Sequence, residues 1–287
     1  MEKISVIVTV YNRFEYVRNV LVSLLHQTLL PDEVIFADDG SKDDLGEYLK
    51  NLIKECPFKI KHVLQEDNGF RLARSRNNGV KAAEGDFLIF LDQDVILPDD
   101  FVEKVYEKRK KKNIVFVRGY QTTEEAKNNI FNFLQSNEYD YNKIFTMASR
   151  EDETKRYKEK VFKDRLYRVL YWLKLRSRGA KMVGMMFALY KDDFIAINGF
   201  DSLYKGWGQE DDDFGNRFYK YGGEVYPLLL DKYLLHIYHP FSLTKNDSPN
   251  VEYYKKRKKE ITKNNYKCNH GYYNSIDNDE IEIRELN

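Results

Sequence analysis

Phe87-Leu88-Ile89-Phe90-Leu91 is an unbroken apolar run of strand length. A strand with no polar face must be covered on both sides, as in a parallel sheet with helices above and below it. The neighbouring stretches have the matching rhythm. Residues 4–10, 33–37 and 59–64 are short and rich in apolar or β-branched side chains, and read as three further strands. Between them, 14–27 carries Tyr16, Val20, Leu21, Leu24 and Leu25 on one helical stripe. A second helix is expected after Ser41, with Ser41 as its N-cap and Asp43 and Asp44 in its first turn. A third spans 72–83. Strands alternating with helices at this pitch predict an α/β fold around a mostly parallel sheet.

Such sheets take ligands beyond the carboxyl ends of their strands. Three polar clusters fall there: Tyr11-Asn12-Arg13, Asp38-Asp39 and Asp92-Gln93-Asp94. A spacing of two puts Asp92 and Asp94 on one side of an extended backbone. Adjacent acids repel unless a positive charge sits between them. Mg²⁺ or Mn²⁺ holding a diphosphate meets that need with few protein ligands. For the motif alone, a solvated loop with two acids is the plain alternative.

Composition narrows the function class. The 287 residues can bury a full core as one large domain or two small ones. A formal net charge of +1 gives no field that would favour nucleic acid. Aromatics at 15% suit stacking on bases or sugar rings. Cys56 and Cys268 are too far apart to read as a zinc site or a disulfide framework, which suits a reducing compartment. The first residues enter a strand at once, so no secretory leader is expected. No apolar run approaches the roughly 18 residues that cross a bilayer. A cytoplasmic location is expected, free or at the inner face of the membrane.

In the second half, a helix is expected from 98, a strand over 114–118, and helices across 122–178. Within 155–181 many Lys and Arg face only Glu159 and Asp164. Interleaved with them are Tyr157, Val161, Phe162, Leu166, Val169, Leu170, Trp172 and Leu173. One reading is a solvated basic face over a core stripe. The other is a surface for an anionic membrane or a lipid-linked acceptor. Further on, Gly206-Trp207-Gly208-Gln209 leads into Glu210-Asp211-Asp212-Asp213 at a helix start that Gly222-Gly223 closes. The helix dipole accounts for one or two acids, and four exceed that need. An acid beside an aromatic plate also suits a sugar: the ring stacks and the carboxylate takes a hydroxyl proton. A strand follows over 224–230, then a surface helix and a frayed tail.

Taken in order, Val6-Ile7-Val8-Thr9-Val10-Tyr11-Asn12-Arg13, Asp38-Asp39-Gly40-Ser41, Arg76-Asn77-Asn78-Gly79 and Leu91-Asp92-Gln93-Asp94 look like the successive motifs of family 2 glycosyltransferases of the GT-A fold. Gly69-Phe70-Arg71 with Trp207-Gly208-Gln209-Glu210-Asp211 is similar to bacterial chondroitin-type polymerases and to the carboxyl-terminal motif of galactosyl- and N-acetylgalactosaminyltransferases. The resemblance covers about residues 3–118 and 180–242. It implies a Rossmann-like GT-A domain over 1–242. Within it, 1–118 is the nucleotide-sugar half, 119–180 a helical insertion and 181–242 the acceptor half, with a charged extension over 243–287.

The resemblance also implies roles. Thr9, Tyr11 and Arg13 would lie along the nucleotide, and Asp39 would accept from the uracil N3–H. Arg71 and Arg76 would face the base and diphosphate, and Asp92 the ribose or donor sugar. Asp94 would ligate Mn²⁺ or Mg²⁺. A histidine completes the metal site; His239 fits best and His236 stays open. Asp211 would be the catalytic base, with Glu210 and Asp212 near acceptor hydroxyls and Trp207 as a wall. Gln93 stands where the family often has Ala or Cys, and is expected to point near the donor. Gln209 stands where Gly is common, and is expected to meet or narrow the acceptor site.

The implied reaction is metal-dependent and inverting. A hexose or N-acetylhexosamine moves from a UDP-sugar to a hydroxyl of a glycan or lipid-linked saccharide, in bacterial capsule, surface polysaccharide or lipooligosaccharide synthesis. A sugar-nucleotide pyrophosphorylase is the first rival, although the chain lacks the early Gly-rich loop such an enzyme wants. A non-catalytic carbohydrate-binding relative is the second.

Overall fold

Alternate residues of the central strand part to opposite sides of the sheet in the computed structural model, which describes residues 2–136, 138–240, 248–277 and 280–287. Phe87, Ile89 and Leu91 enter one core, and Leu88 and Phe90 enter the other. The run is buried on both faces, as its composition requires.

The main sheet contains β1 (Ile4–Val10), β2 (Glu33–Asp38), β3 (Lys59–Gln65) and β4 (Phe87–Asp92). It also contains β6 (Asn113–Phe116), β8 (Met186–Tyr190), β9 (Glu224–Pro227) and β11 (Ile281–Glu285). Their order is β11-β3-β2-β1-β4-β8-β6-β9. The β3-β2-β1-β4 block is parallel, as is the β6-β9 pair. β8 runs antiparallel to both β4 and β6, and β11 antiparallel to β3. The sheet is therefore mixed where its first half alone predicts a parallel one.

One core is capped by α1 (Phe14–Leu25), α2 (Leu45–Ile53), α4 (Phe101–Glu107), α5 (Glu124–Leu134), α6 (Tyr141–Ala148) and α7 (Glu151–Trp172). The other lies under α3 (Leu72–Ala82), α8 (Lys191–Ala196) and α9 (Glu210–Tyr221). A final helix, α10 (Val251–Glu260), packs on α9. A second, three-stranded sheet joins β5 (Val95–Ile96), β10 (Leu234–His236) and β7 (Gly119–Gln121). No helix among the described residues is long and apolar enough to cross a membrane.

Several expectations need correction. Asp44, not Ser41, caps α2: its side chain accepts the Glu47 N–H at 2.9 Å. Ser41 instead donates to Asp38 Oδ1 at 2.7 Å and accepts the Asn12 N–H at 2.7 Å, tying two loops together. The strand expected over 224–230 ends at Pro227, which lacks the N–H to continue it. The tail does not fray to its end, because β11 supplies an antiparallel edge strand to β3.

The basic helix α7 has two apolar faces instead of one stripe. Tyr157 and Val161 are buried, while Phe162, Leu166, Val169, Trp172 and Leu173 are exposed.

α3 lies close on the sheet at Gly79. A Cβ there would stand 2.7 Å from Ile7 Cγ2 and 3.2 Å from Ala37 Cβ. Ile7 is β-branched and fixed in a central strand, so it has little room to turn away. Gly79→Ala gains about 1 kcal/mol of helix propensity and loses about 1–3 kcal/mol to overpacking. We expect a net loss, read as a lower urea midpoint. An unchanged or higher midpoint would show that α3 lifts freely off the sheet.

Candidate active site

β1, β2 and β4 end at one edge, and the loops that leave them are held in costly conformations. Asn12 and Arg13 both have positive φ, at 52° and 53°. Such a backbone costs a non-glycine residue about 1–3 kcal/mol and persists only where the surroundings enforce it. Here the Asn12 N–H donates to Ser41 Oγ as described, and its Oδ1 accepts the Lys42 N–H at 3.2 Å. Arg13 leads into α1 with its side chain exposed.

Gly40, at φ 95°, lets the β2 loop press against the next one, since a Cβ there would sit 2.5 Å from the Asp67 backbone. Asp39 is thereby enclosed. Its Oδ2 accepts the Arg71 N–H at 2.6 Å and its Oδ1 the Gln65 amide at 2.5 Å. Burial pushes its carboxyl up to about 7, against the pull of both donors.

Asp92 and Asp94 leave the same strand and find different partners. Asp92 Oδ1 accepts from the Thr9 hydroxyl at 3.0 Å and from Arg76 Nη2 at 3.2 Å. Asp94 precedes β5 and turns to the small sheet. There the register sets Val95 opposite His236, and His236 opposite Gln121. The Ile237 N–H donates to the Asp94 carbonyl at 2.8 Å, fixing the chain that carries the next histidine. His236 Nε2 then lies 3.4 Å from Asp94 Oδ1, and His239 Nε2 lies 3.0 Å from Oδ2. The sequence left these two histidines as alternatives, and both converge on Asp94.

The outer nitrogens of these histidines set the tautomers. His239 Nδ1 faces the Pro240 carbonyl at 2.9 Å, an oxygen that can only accept. His236 Nδ1 faces Gln121 Oε1 at 2.7 Å. Each Nδ1 carries the proton in the neutral ring, so both Nε2 lone pairs aim at a carboxylate. Lone pairs and a carboxylate share a space stably only around a proton or a cation. Asp94 Oδ1 is also buried without a hydrogen-bond donor. The three ligand atoms lie within 4.8 Å of one another and can hold a metal ion. Burial alone would push the Asp94 carboxyl up; the two rings, when protonated and donating through Nε2, outweigh it and hold it well below the usual carboxylate range.

Gln93, between the two acids, does not extend toward a donor. Its Oε1 accepts the Tyr11 N–H at 3.0 Å, and its Nε2 donates to the Tyr11 carbonyl at 3.2 Å. The amide thus copies a strand pairing and locks the β1 loop to the β4 loop. Neither Ala nor Cys can do this. Tyr11 keeps its ring partly exposed, with its hydroxyl 3.3 Å from Asp67 Oδ2.

Arg76, on α3, joins this edge to α9. Its Nη2 reaches Asp92 and the Gly184 carbonyl, the latter at 2.9 Å, and its Nη1 lies 3.4 Å from Glu210 Oε1. Its guanidinium lies over Phe200, 5.0 Å from the ring centroid. Arg71 is equally buried, donating to the Glu66 carbonyl and lying 3.5 Å from Asp277 Oδ2. Both arginines, expected to face the base and diphosphate, are buried within ion pairs at this edge. Four acids close together require such internal cations.

The acids that open α9 have separate partners. Asp213 is fully buried on Arg217 at 2.6 Å. Asp212, expected near acceptor hydroxyls, is taken up by Arg178 at 2.7 Å, Lys181 at 3.4 Å and the Tyr254 hydroxyl at 2.5 Å. Glu210 faces Arg76, and burial with the neighbouring Asp211 pushes its carboxyl up to about 7. Asp211 alone stays half-buried with no cation within ion-pair distance among the described residues. The Asp212 N–H holds its Oδ1 at 2.7 Å and the Gly184 N–H its Oδ2 at 3.2 Å. Burial pushes the Asp211 carboxyl up as well.

Trp207 and Phe70 are both partly exposed, and the Gly206 N–H donates to the Phe70 carbonyl at 2.8 Å. Gln209, at φ 73°, starts α9 and accepts from the Ser248 hydroxyl at 2.9 Å, so its amide supports the loop instead of meeting an acceptor. Asn250 donates to the Gly208 carbonyl at 2.8 Å. Gln121, Gln65, Gly184 and Ser248 are supporting residues that carried no recognisable sequence signal.

A family model described as glycosyl transferase family 2 matches residues 5–195. One described as N-terminal domain of galactosyltransferase matches residues 164–240. Chondroitin synthase of Escherichia coli is 26% identical over 227 residues, covering 77% of this chain and 33% of that protein. Glycosyltransferase GlyA of Streptococcus pneumoniae is 37% identical over 107 residues, covering 37% of this chain and 15% of that protein. The chain thus spans less than half the length of either relative. Among solved structures, S. aureus TarS 1-349 in complex with UDP-GlcNAc aligns with a TM-score of 0.58 at 16% identity, covering 89% of this chain and 64% of that one. The fold is the GT-A fold that the motifs imply. The chain belongs to glycosyl transferase family 2.

Asp39 gives a stability test. Its carboxyl is raised from 3.8 to about 7 on folding. The folded state therefore keeps this proton longer than the unfolded chain. The stabilisation is whole below about pH 4 and is lost as pH rises through 7, at up to about 1.4 kcal/mol per pH unit. Asp39→Asn removes this slope. Urea midpoints measured against pH should fall for the wild type relative to the variant between these limits. Parallel curves would mean that Asp39 is ionised throughout.

Proposed function

We propose that this family 2 glycosyltransferase moves a hexose or N-acetylhexosamine from a UDP-sugar to a hydroxyl of a glycan acceptor, with inversion and with a divalent ion bound. A place in bacterial surface polysaccharide or lipooligosaccharide synthesis fits the chondroitin synthase likeness. The observation that carries the reading is the continuity of Asp39, Asp92, Asp94, Arg76 and Asp211 around one sheet edge. The UDP-GlcNAc named for the structural neighbour supports a nucleotide-sugar donor.

Thr9, Tyr11, Arg13 and Asp39 line the nucleotide side in this reading, and Asp92 meets the ribose or sugar. Asp94, His236 and His239 hold the ion. Two imidazoles with one carboxylate favour Mn²⁺ over Mg²⁺, which prefers oxygen alone. When bound, such an ion offsets negative charge on the departing diphosphate. Arg76 contributes by keeping Asp92 and Glu210 in place.

Asp211 takes the proton from the acceptor hydroxyl as that oxygen attacks the anomeric carbon. Two amide N–H groups orient its carboxylate, and burial raises its proton affinity. One displacement inverts the centre, with no carboxylate nucleophile. Trp207 and Phe70 offer ring faces to the acceptor sugar. The basic stretch 155–181 is the surface for contact with an anionic membrane.

Asp211→Asn should lower transfer by roughly 10²–10⁴-fold while UDP binding, read by calorimetry, stays near wild type. Transfer that persists in this variant would move the base elsewhere. A donor screen scored by UDP release, with Mn²⁺ and with EDTA, tests the reaction itself; pyrophosphate release or sugar binding without turnover would sink it. His236→Ala should weaken Mn²⁺ binding by at least tenfold, and Gln121→Ala by roughly tenfold through the lost tautomer control. Unchanged Mn²⁺ affinity in His236→Ala would remove that histidine from the ligand set.

A further inference from the structure

The outer face of α7 is apolar in the middle and cationic at its borders. Phe162, Leu166, Val169 and Leu173 recur at helical spacing on the side opposite Tyr157 and Asp164. The stripe continues past the helix end. Lys174, at φ 61°, makes a left-handed cap, and the Leu175 N–H closes on the Leu170 carbonyl at 2.8 Å. Phe162 is 69% exposed, Trp172 76% and Leu175 70%. Large apolar side chains this exposed, recurring along one segment, mark a contact surface.

Charge says what the surface contacts. From 155 to 181 the chain has eleven Lys and Arg against Glu159 and Asp164. Asp164 is buried and bound to Arg118, and Arg156, Arg168, Arg178 and Lys181 pair with Asp152, Glu224 and Asp212; the other seven cations of the segment far outnumber Glu159. A second copy of the chain, packed stripe to stripe, would bring two cationic borders together and be repelled. A lipid surface with anionic headgroups attracts the borders and takes up the stripe. Trp172 near one end suits the headgroup boundary.

We propose that α7 docks on an anionic membrane surface, with Phe162, Trp172 and Leu175 entering the headgroup layer. The docking stands on the surface alone. Its consequence for catalysis rests on the transferase reading. Arg178 and Lys181, where the basic stretch ends, hold Asp212 beside Asp211. The membrane-facing segment is thus tied to the acceptor side of the site, which suits a saccharide carried on lipid.

The test uses the whole chain and phosphatidylcholine vesicles with and without about one-third phosphatidylglycerol. The wild type should co-sediment at least tenfold more tightly with the anionic vesicles, and about 0.5 M salt should weaken that binding. The triple variant F162D/W172D/L175D should lose at least tenfold of it. Its melting curve and its release of UDP from donor in solution should match the wild type, since all three residues are largely exposed and none belongs to the site.

Equal binding to both vesicle types overturns the proposal, as does full binding by the variant. A dimer that the variant dissolves, without vesicle binding, assigns the face to a second copy and also overturns it. Vesicle binding without UDP release leaves the docking standing and removes only the transferase reading.

Discussion

Arg76 makes the meeting of two acidic clusters tolerable. Asp92 comes from the parallel half of the sheet and Glu210 from the start of α9, and the same guanidinium lies between them. A buried charge stripped of its partner costs about 3–5 kcal/mol, so neither acid could stay at this edge alone. Phe187 and Phe200 face the guanidinium and keep water from replacing the ion pairs. The Gly184 carbonyl takes a further proton of Arg76 while the Gly184 N–H holds Asp211. One peptide segment thus connects the internal cation to the free carboxylate. The acceptor half is aligned on the donor half through that charge and that segment.

The three-stranded sheet provides the second alignment. Its strands are only two or three residues long, too short to be stable by themselves. They survive because the helices packed over that face bury Val95, Ile96, Tyr120, Leu234 and Leu235 in a common core. Their value is register. Pairing across three strands places Asp94, His236 and Gln121 at one point although they lie far apart in the chain. Gln121 then decides which nitrogen of His236 faces inward. The same logic applies at Gln93, where a side-chain amide imitates a strand partner for Tyr11. Loops that have left the main sheet are held by borrowed strand hydrogen bonds.

Features written locally were legible in the sequence. The apolar run at β4 announced its burial, and the acids at strand ends announced their edge. Features that depend on a distant partner were not. His236 and His239 could not be ranked by spacing, because the register that unites them is set by two very short strands. Gln93 has a neutral side chain whose direction follows from Tyr11, eighty-two positions away. Asp212 read as an acid near acceptor hydroxyls because Tyr254, which donates to it, belongs to a segment with no recognisable motif. β11 alternates Ile and charged residues, a weak pattern that becomes a strand only against the open edge of β3. The two readings of α7 stayed open for another reason: its two apolar faces overlap in sequence, and separating them requires knowing which face meets the sheet.

The run of four acids at α9 shows how a fold assigns different work to identical chemistry. Helix geometry turns each successive residue by about 100°, so neighbouring acids face different surroundings. Asp213 turns inward and must pair with Arg217 to be buried at all. Asp212 turns to α10 and the basic segment, where it fastens both. Glu210 turns inward to Arg76, 3.4 Å from its Oε1, and is buried away from the half-exposed face on which Asp211 lies. Among the described residues only Asp211 of the four meets no cation within ion-pair distance, just two N–H groups that orient it without neutralising it. A base needs a lone pair that nothing else has claimed, in surroundings that favour the protonated form. Among the four, Asp211 alone combines that chemistry with a half-exposed position that an acceptor can reach. The three occupied acids are what hold that candidate still.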